Sequence, residues 1–184
     1  MFLITTSRRT SNRVRSFVRD LWTVLPGSDK FNRGGMNLAE LAARIRQSSA
    51  EAALVITMFK GNPGDIQFID ADGHQFLTVR MGSAQLKREV TSDNPPRINS
   101  VHSITILSSE NEHLLSLASI LGEIIGVPVH EASEIVPLGP EYQNMVTIVM
   151  DTLQSGKILW THFHSEDALE IGPRIRVRSI LRKT

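Results

Sequence analysis

The chain carries the same local grammar twice: an apolar run of strand length, a serine-containing turn, then a helical pattern. Residues 1–6 read as a short buried strand and residues 6–11 as a polar turn. Residues 12–25 read as a helix with Val14, Phe17, Val18, Leu21 and Leu25 on one stripe. A linker, Thr-Ser-Asp-Asn-Pro-Pro-Arg at residues 91–97, follows later. Beyond it residues 101–107 read as a strand and Ser108-Ser109 as a turn and cap. Residues 111–125 read as a helix with Leu114, Leu117, Ala118, Leu121 and Ile125 on one face. Strands alternating with helices point to an α/β class, and at this coarse level the two halves can be a duplicated α/β unit. No residue-level repeat is detectable, since Glu110 and Glu112 stand in the second start where the first has arginines.

The remaining elements follow from turn and cap chemistry. Residues 29–32 suit a short strand, and Asn37 caps a helix with Glu40 in capping-box register. Its apolar face is Leu38, Leu41, Ala42 and Ile45. Residues 53–59 are a continuous apolar run, expected to be a central strand, broken by Lys60-Gly61-Asn62-Pro63-Gly64. Residues 66–69 and 75–81 suit a hairpin around Asp70-Ala71-Asp72-Gly73, whose aspartates read as turn formers. Residues 128–140 are expected to be irregular. Residues 145–153 and 158–164 read as strands joined near Gln154-Ser155-Gly156, and residues 174–181 as the last strand.

The chain has no cysteine, which excludes disulfides, thiolate zinc sites and cysteine nucleophiles. No apolar run approaches ~18 residues, so no membrane span is expected, and the first four residues are too short for a signal-peptide core. A cytoplasmic protein is the plain expectation. Net charge is only +1, but its distribution is polarised. Residues 1–47 hold nine basic and three acidic side chains, residues 102–171 hold one and ten, and residues 172–184 hold five and none. Such polarity focuses a polyanion onto one surface and repels it from another.

The strongest chemical signal is the cluster Arg8, Arg9, Arg13, Arg15 and Arg19, with no acid among the first nineteen residues. A positive loop feeding a helix N-terminus suits phosphate, because free N–H groups and guanidinium forks point the same way. Ser7 and Ser11 can add hydroxyl hydrogen bonds. The competing expectation is that Arg13 or Arg19 pairs with Asp20 or Glu40. Near the other end, alternation in Arg174-Ile175-Arg176-Val177-Arg178 puts three guanidiniums on one strand face at ~6.6–6.8 Å spacing. Such a ribbon can track a phosphate backbone; the alternative is a solvated face balanced by Glu166, Asp167 and Glu170. Lys60 in its glycine-rich turn and Arg33 beside Gly34 are further candidate contacts. His162, His164 and Glu166 alternate as metal ligands can, but nothing supplies a further ligand, so a merely polar strand is expected. No Gly-x-Ser-x-Gly elbow is present, and Trp22 and Trp160 read as core packing.

Thr-Ser-Arg-x-x-Ser-x-Arg-x-Arg-Ser-Phe at the start and Glu-x-Gly-Pro-Arg at residues 170–174 resemble the opening and closing signatures of the Brix-domain family, proteins of ribosome biogenesis. The likeness is greatest to the short archaeal members. Gly-Asn-Pro-Gly after the central strand is similar to archaeal Brix sequences, whereas Thr10 departs from the proline that many relatives carry. The resemblance implies a single Brix domain over residues 1–184, made of a basic α/β half at 1–94 and a second α/β half at 98–184. It implies that each half is a small mixed sheet flanked by helices, similar to the anticodon-binding domain of class IIa aminoacyl-tRNA synthetases. It implies binding of rRNA or pre-rRNA during ribosome assembly, without catalysis and with no cofactor or metal. The expected contacts are Ser7, Arg8, Arg9, Ser11, Arg13, Arg15, Arg19, Arg33, Lys60, Arg174, Arg176 and Arg178. The alternative expectation is an interaction scaffold whose acidic second half docks basic ribosomal proteins or other assembly factors.

Overall fold

The computed structural model describes residues 2–183, so Met1 of the expected first strand lies outside the described residues. Strand β1 (Phe2–Thr6) leads into α1 (Asn12–Val24), β2 (Asp29–Lys30), α2 (Leu38–Ser48), β3 (Ala52–Phe59), β4 (Asn62–Ile69), β5 (Gln75–Gln85) and a single turn of helix, α3 (Lys87–Val90). Then come β6 (Ser100–Ile106), α4 (Glu112–Ile125), β7 (Val129–Glu131), a 3-10 turn at Pro140–Tyr142, β8 (Met145–Thr152), β9 (Ile158–His164) and β10 (Arg174–Arg182). No helix among the described residues is long and apolar enough to cross a membrane.

Cap chemistry sets the helix ends. Ser11 accepts from the Val14 N–H at 3.1 Å and starts α1. Asn37 and Glu40 form the expected capping box, with Asn37 N donating to Glu40 Oε2 at 2.7 Å and Glu40 N to Asn37 Oδ1 at 2.9 Å. Leu38 sits in the first turn of α2 and is 51% exposed, so the buried face is Leu41, Ala42 and Ile45 without it. Helix α4 is capped by Asn111, not by Ser108-Ser109, because the Asn111 side chain reaches both His113 N and Leu114 N. Gly126 ends α4 at φ 76°, a left-handed conformation that costs glycine little.

Two further expectations are corrected. The breaker at residues 60–64 is only a two-residue turn, Lys60 (φ 48°) and Gly61 (φ 80°), and pairing resumes at once with Phe59 opposite Asn62. Residues 128–140 are not wholly irregular, because β7 pairs with β6 in parallel register.

All ten strands form one mixed sheet in the order β2-β1-β3-β4-β5-β10-β9-β8-β6-β7. Outward from its centre, each group of five makes two antiparallel and then two parallel pairings, so β1–β5 and β6–β10 trace the same path. The two small sheets implied by the resemblance are thus fused through antiparallel β5 and β10. One apolar core runs from Val14, Phe17 and Leu21 of α1, through Val79 and Ile175 of the central strands, to Leu114, Leu117 and Leu121 of α4. Helix α2 covers the opposite face of the first half, packing Leu41 and Ile45 on Leu3, Ala53, Val55 and Ile69. The matching stretch of the second half, residues 132–144, holds only the 3-10 turn. Protease cleavage within residues 91–97 is expected to leave both fragments in one complex on size-exclusion chromatography, since the central pairing and the core span the cut. Separate elution of the halves would contradict a shared core.

Candidate nucleic-acid interface

Parallel pairing of β1 with β3 brings their C-terminal ends together, and the arginine loop leaves from there. Ser7 N donates to Ile56 O at 2.8 Å, and Ser7 Oγ donates to Arg9 O at 2.6 Å, folding the loop onto the sheet end. Ser11 Oγ donates to Gly61 O at 2.7 Å while accepting from Val14 N, so one hydroxyl caps α1 and ties the arginine loop to the Lys60–Gly61 turn. Both serines thus spend their hydroxyls on shaping the loop. Arg33 joins the same end. Its Nε donates to Met36 O at 3.0 Å, and its pKa is lowered first by burial and then by the charge of Arg8. Four sequence-predicted cations, Arg8, Arg9, Arg33 and Lys60, therefore crowd the sheet end next to the N-terminus of α1, whose first turn has no acid. Arg8, Arg9 and Lys60 are exposed.

Arg13 and Arg174 are held differently. Arg13 grips Glu89 with both terminal nitrogens, at 2.5 and 2.8 Å, and donates to Ala84 O at 3.1 Å. Arg174 grips Glu170 at 2.8 and 2.6 Å and donates to Gln85 Oε1 at 3.1 Å. The partners Ala84 and Gln85 are consecutive at the end of β5, so α1 and the start of β10 meet there. Arg13 thus pairs neither with Asp20 nor with Glu40. The Arg13 hydrogen bond holds the Glu89 carboxyl at about 2, outweighing its partial burial. Its folded-state pKa is depressed, so this contribution is present above the ordinary carboxylate range and is lost as pH falls from about 4.5 to about 2. Both side chains are about one-third exposed, which leaves the pair worth about 1 kcal/mol. Arg13→Ala is expected to lower stability by that amount in urea unfolding, with little change in RNA affinity.

The other arginines divide between the two faces of the sheet. Arg15 and Arg19 are exposed on the outer side of α1, with Arg15 Nη1 donating to Asn12 Oδ1 at 3.0 Å. Arg176 and Arg178 are exposed opposite the core, alternating with buried Ile175 and Val177. The expected even ribbon is broken, because Arg174 is tied to Glu170 and the β5–β10 register slips between Val177 and Ser179. Arg80 is exposed on β5 opposite Ser179 and extends this second basic patch. Sequence reasoning missed Arg80; the signal that could have found it is its alternation with Val79 and Met81, both buried. Phe59, the end of the apolar run, is 66% exposed beside Lys60.

His162 and His164 are oppositely poised. His162 is fully buried, with Nε2 accepting from Trp160 Nε1 at 3.1 Å and Nδ1 facing Pro173 O at 2.7 Å. One donor and one acceptor suit the neutral ring, and burial pushes its pKa down to about 4. His164 meets two acceptors, Asp167 Oδ1 at 2.9 Å and Gln143 O at 2.6 Å. Burial lowers its pKa, but those acceptors outweigh burial and raise it. All four ring nitrogens are engaged within the protein, as expected of a polar strand rather than a ligand set. Trp160 is core, whereas Trp22 is 41% exposed. Asp70 Oδ1 accepts from Asp72 N and His74 N at 2.9 and 2.8 Å, the turn-forming role read from sequence.

No family model matches the chain. Relatives do. A probable Brix domain-containing ribosomal biogenesis protein of Methanopyrus kandleri is 31% identical over 129 residues, 67% of this chain and 66% of that protein. The Pyrococcus horikoshii protein of the same description is 29% identical over 189 residues, 97% of this chain and 83% of that protein. The Aeropyrum pernix relative is 41% identical over 70 residues, a match spanning 39% of its length. Among solved structures, a probable ribosomal biogenesis protein from Aeropyrum pernix K1 superimposes with TM-score 0.73 at 26% identity, covering 96% of this chain and 94% of that one. Mil, an archaeal Imp4-like protein, shares the fold with TM-score 0.67 at 19% identity. With a Brix domain-containing relative 31% identical over two thirds of the chain, and others aligned along nearly its whole length, the chain belongs to the Brix-domain family.

Proposed function

We propose that the protein is a ribosome assembly factor that binds rRNA or pre-rRNA at the basic sheet end and assists its folding or processing without catalysis. The observation that carries this is the gathering of Arg8, Arg9, Arg33 and Lys60, from three separate loops, beside the N-terminus of α1. None of these side chains has a carboxylate partner among the described residues. The relatives' descriptions supply the process, ribosome biogenesis. Arg15 and Arg19 extend the surface along α1, and Arg80, Arg176 and Arg178 offer a second contact on the opposite face. In this reading residues 1–94 and 98–184 are two α/β halves of one Brix domain, each similar to the anticodon-binding domain of class IIa aminoacyl-tRNA synthetases. The protein is expected to act in the cytoplasm.

The test is filter binding of the full chain to rRNA fragments across a salt series. The logarithm of affinity should fall with the logarithm of salt by roughly 0.7 per single-strand phosphate neutralised. Absence of binding at low salt would overturn the reading.

A second reading, protein docking through the acidic half, is favoured by Val129, Val136 and Leu169, which are 37%, 52% and 57% exposed within a segment of ten acids and one base. Reversing Glu131, Glu134 and Glu166 to Lys in the full chain should abolish recovery of basic ribosomal proteins if this surface docks them.

A further inference from the structure

Phe59 is the most exposed large hydrophobic side chain among the described residues, at 66%. It stands at the end of β3, where a register shift between Ile56 and Met58 interrupts the pairing that buried the preceding side chains. Its surroundings are cationic. Lys60 Nζ lies 5.5 Å from its ring centroid. The bond from Ser11 Oγ to Gly61 O ties the same turn to the loop of Arg8 and Arg9. Gly64 on the facing strand makes room for it, since a Cβ there would come 3.1 Å from Phe59 Cβ and 3.0 Å from Thr57 Oγ1.

The other exposed or partly exposed rings with cationic neighbours are already engaged. Trp22 donates its indole N–H to Ser28 O at 2.9 Å, which ties its ring to the turn after α1 and away from the arginine loop. Phe31 lies under the Arg44 guanidinium at 4.1 Å and packs against the α2 core. Phe59 is the ring that combines solvent exposure with the loop of Arg8 and Arg9.

We propose that Phe59 is a stacking platform for one unpaired base of the bound RNA, with Arg8, Arg9 and Lys60 on the flanking phosphates. The proposal rests on the RNA-binding reading above and narrows it to a strand with at least one splayed base. Bases inside a duplex already stack on one another and offer no free face, whereas a loop or single strand does. Stacking on a phenyl ring tolerates any base, so this contact selects unpaired RNA without reading its sequence.

The test titrates the full chain with a single-stranded RNA of about 12 nucleotides, a length within the usual site sizes, and with the blunt duplex of the same sequence. Wild type is compared with Phe59→Ala, Phe59→Leu, Phe59→Tyr and the double variant Arg8→Ala/Arg9→Ala. Phe59→Ala is expected to lose about tenfold or more on the single strand and little on the duplex. Its salt slope should stay unchanged, because no charge is removed. Phe59→Tyr should bind like wild type. Phe59→Leu keeps apolar bulk without a π face and should bind like Phe59→Ala, which keeps the test valid should alanine disturb the turn. A 2-aminopurine placed in the strand should be quenched by wild type and not by Phe59→Leu. If both Phe59→Ala and Phe59→Leu bind the single strand as wild type does, or lose equally on the duplex, while the arginine variant still weakens binding, the platform is wrong and the RNA-binding reading stands. If the arginine variant binds like wild type, or wild type binds neither RNA, the broader reading falls and the platform with it.

Discussion

Replacing Arg8 and Arg9 with Ala and Lys60 with Asn together is expected to lower affinity for single-stranded rRNA about a hundredfold at 0.1 M salt. The same variant should flatten the log–log salt slope by roughly 2, from three phosphates at about 0.7 each. The loss should shrink toward nothing as salt approaches 1 M, because what is removed is counterion release and not shape. Asparagine is chosen at residue 60 because the position has φ 48°, a left-handed conformation that asparagine tolerates better than alanine. Melting temperature should move little, since the three side chains are exposed and make no ion pair among the described residues. Arg13→Ala and Arg174→Ala should behave oppositely, losing stability and keeping the slope, because their guanidiniums are bound to Glu89 and Glu170. A triple variant with unaltered slope would show that the sheet end is not where phosphate binds.

Lowering pH from 7.5 to 4 is expected to remove about 3 kcal/mol of folding stability through His162 alone, because at pH 4 the unfolded ring is almost fully protonated and the folded ring, with its pKa at about 4, is half protonated. The folded ring has a pKa of about 4 against 6.5 when unfolded, so the unfolded chain takes up the proton first. The contribution is therefore fully present above 6.5 and is lost progressively down to about 4. His164 works in the other direction. Its folded pKa is raised above 6.5, so what it contributes is present below that value and is lost as pH rises through the folded pKa. Urea unfolding at half-unit pH steps separates the two. His162→Gln should cost about 2 kcal/mol at pH 7.5 by disturbing bonds to Trp160 and Pro173, and should flatten the limb between 6.5 and 4. An acid limb as steep in the variant as in wild type would assign the loss to other groups. Glu89 enters only at the acid end, because its own window lies at and below about 4.5, so the His162 limb is read between 6.5 and about 5.

What could be read from sequence was local, and what could not be read was long-range. Ser11, Asn37 with Glu40, and Gly126 mark their own helix ends, because a cap is satisfied within a few residues. Strand β7 has three exposed residues, Val129, His130 and Glu131, too few for any period, and exists only because β6 offers it an edge. The site follows the same division. Arg8 and Arg9 were legible as part of an acid-free cluster, and both are exposed. The pairing of Arg13 was not, because Glu89 lies 76 residues away and is brought near only when α3 turns under α1. Arg174 was weighed against nearby Glu170, and the carboxylate takes it. Phe59 was hidden in an apolar run, where nothing local shows that the last ring turns outward past the irregularity at residues 56–58.

The joint between β5 and β10 has a bearing on synthesis. Strand β10 is the last of the ten described strands to leave the ribosome, and until it inserts the nascent chain displays two unpaired inner margins, a long one on β5 over Leu77–Gln85 and a short one on β9 over Ile158–Trp160. A product terminated before residue 174 keeps both margins permanently open, each a template for another chain. Such fragments should self-associate more than the chain with β10 in place, so this nine-residue strand closes the sheet as well as carrying charge to it.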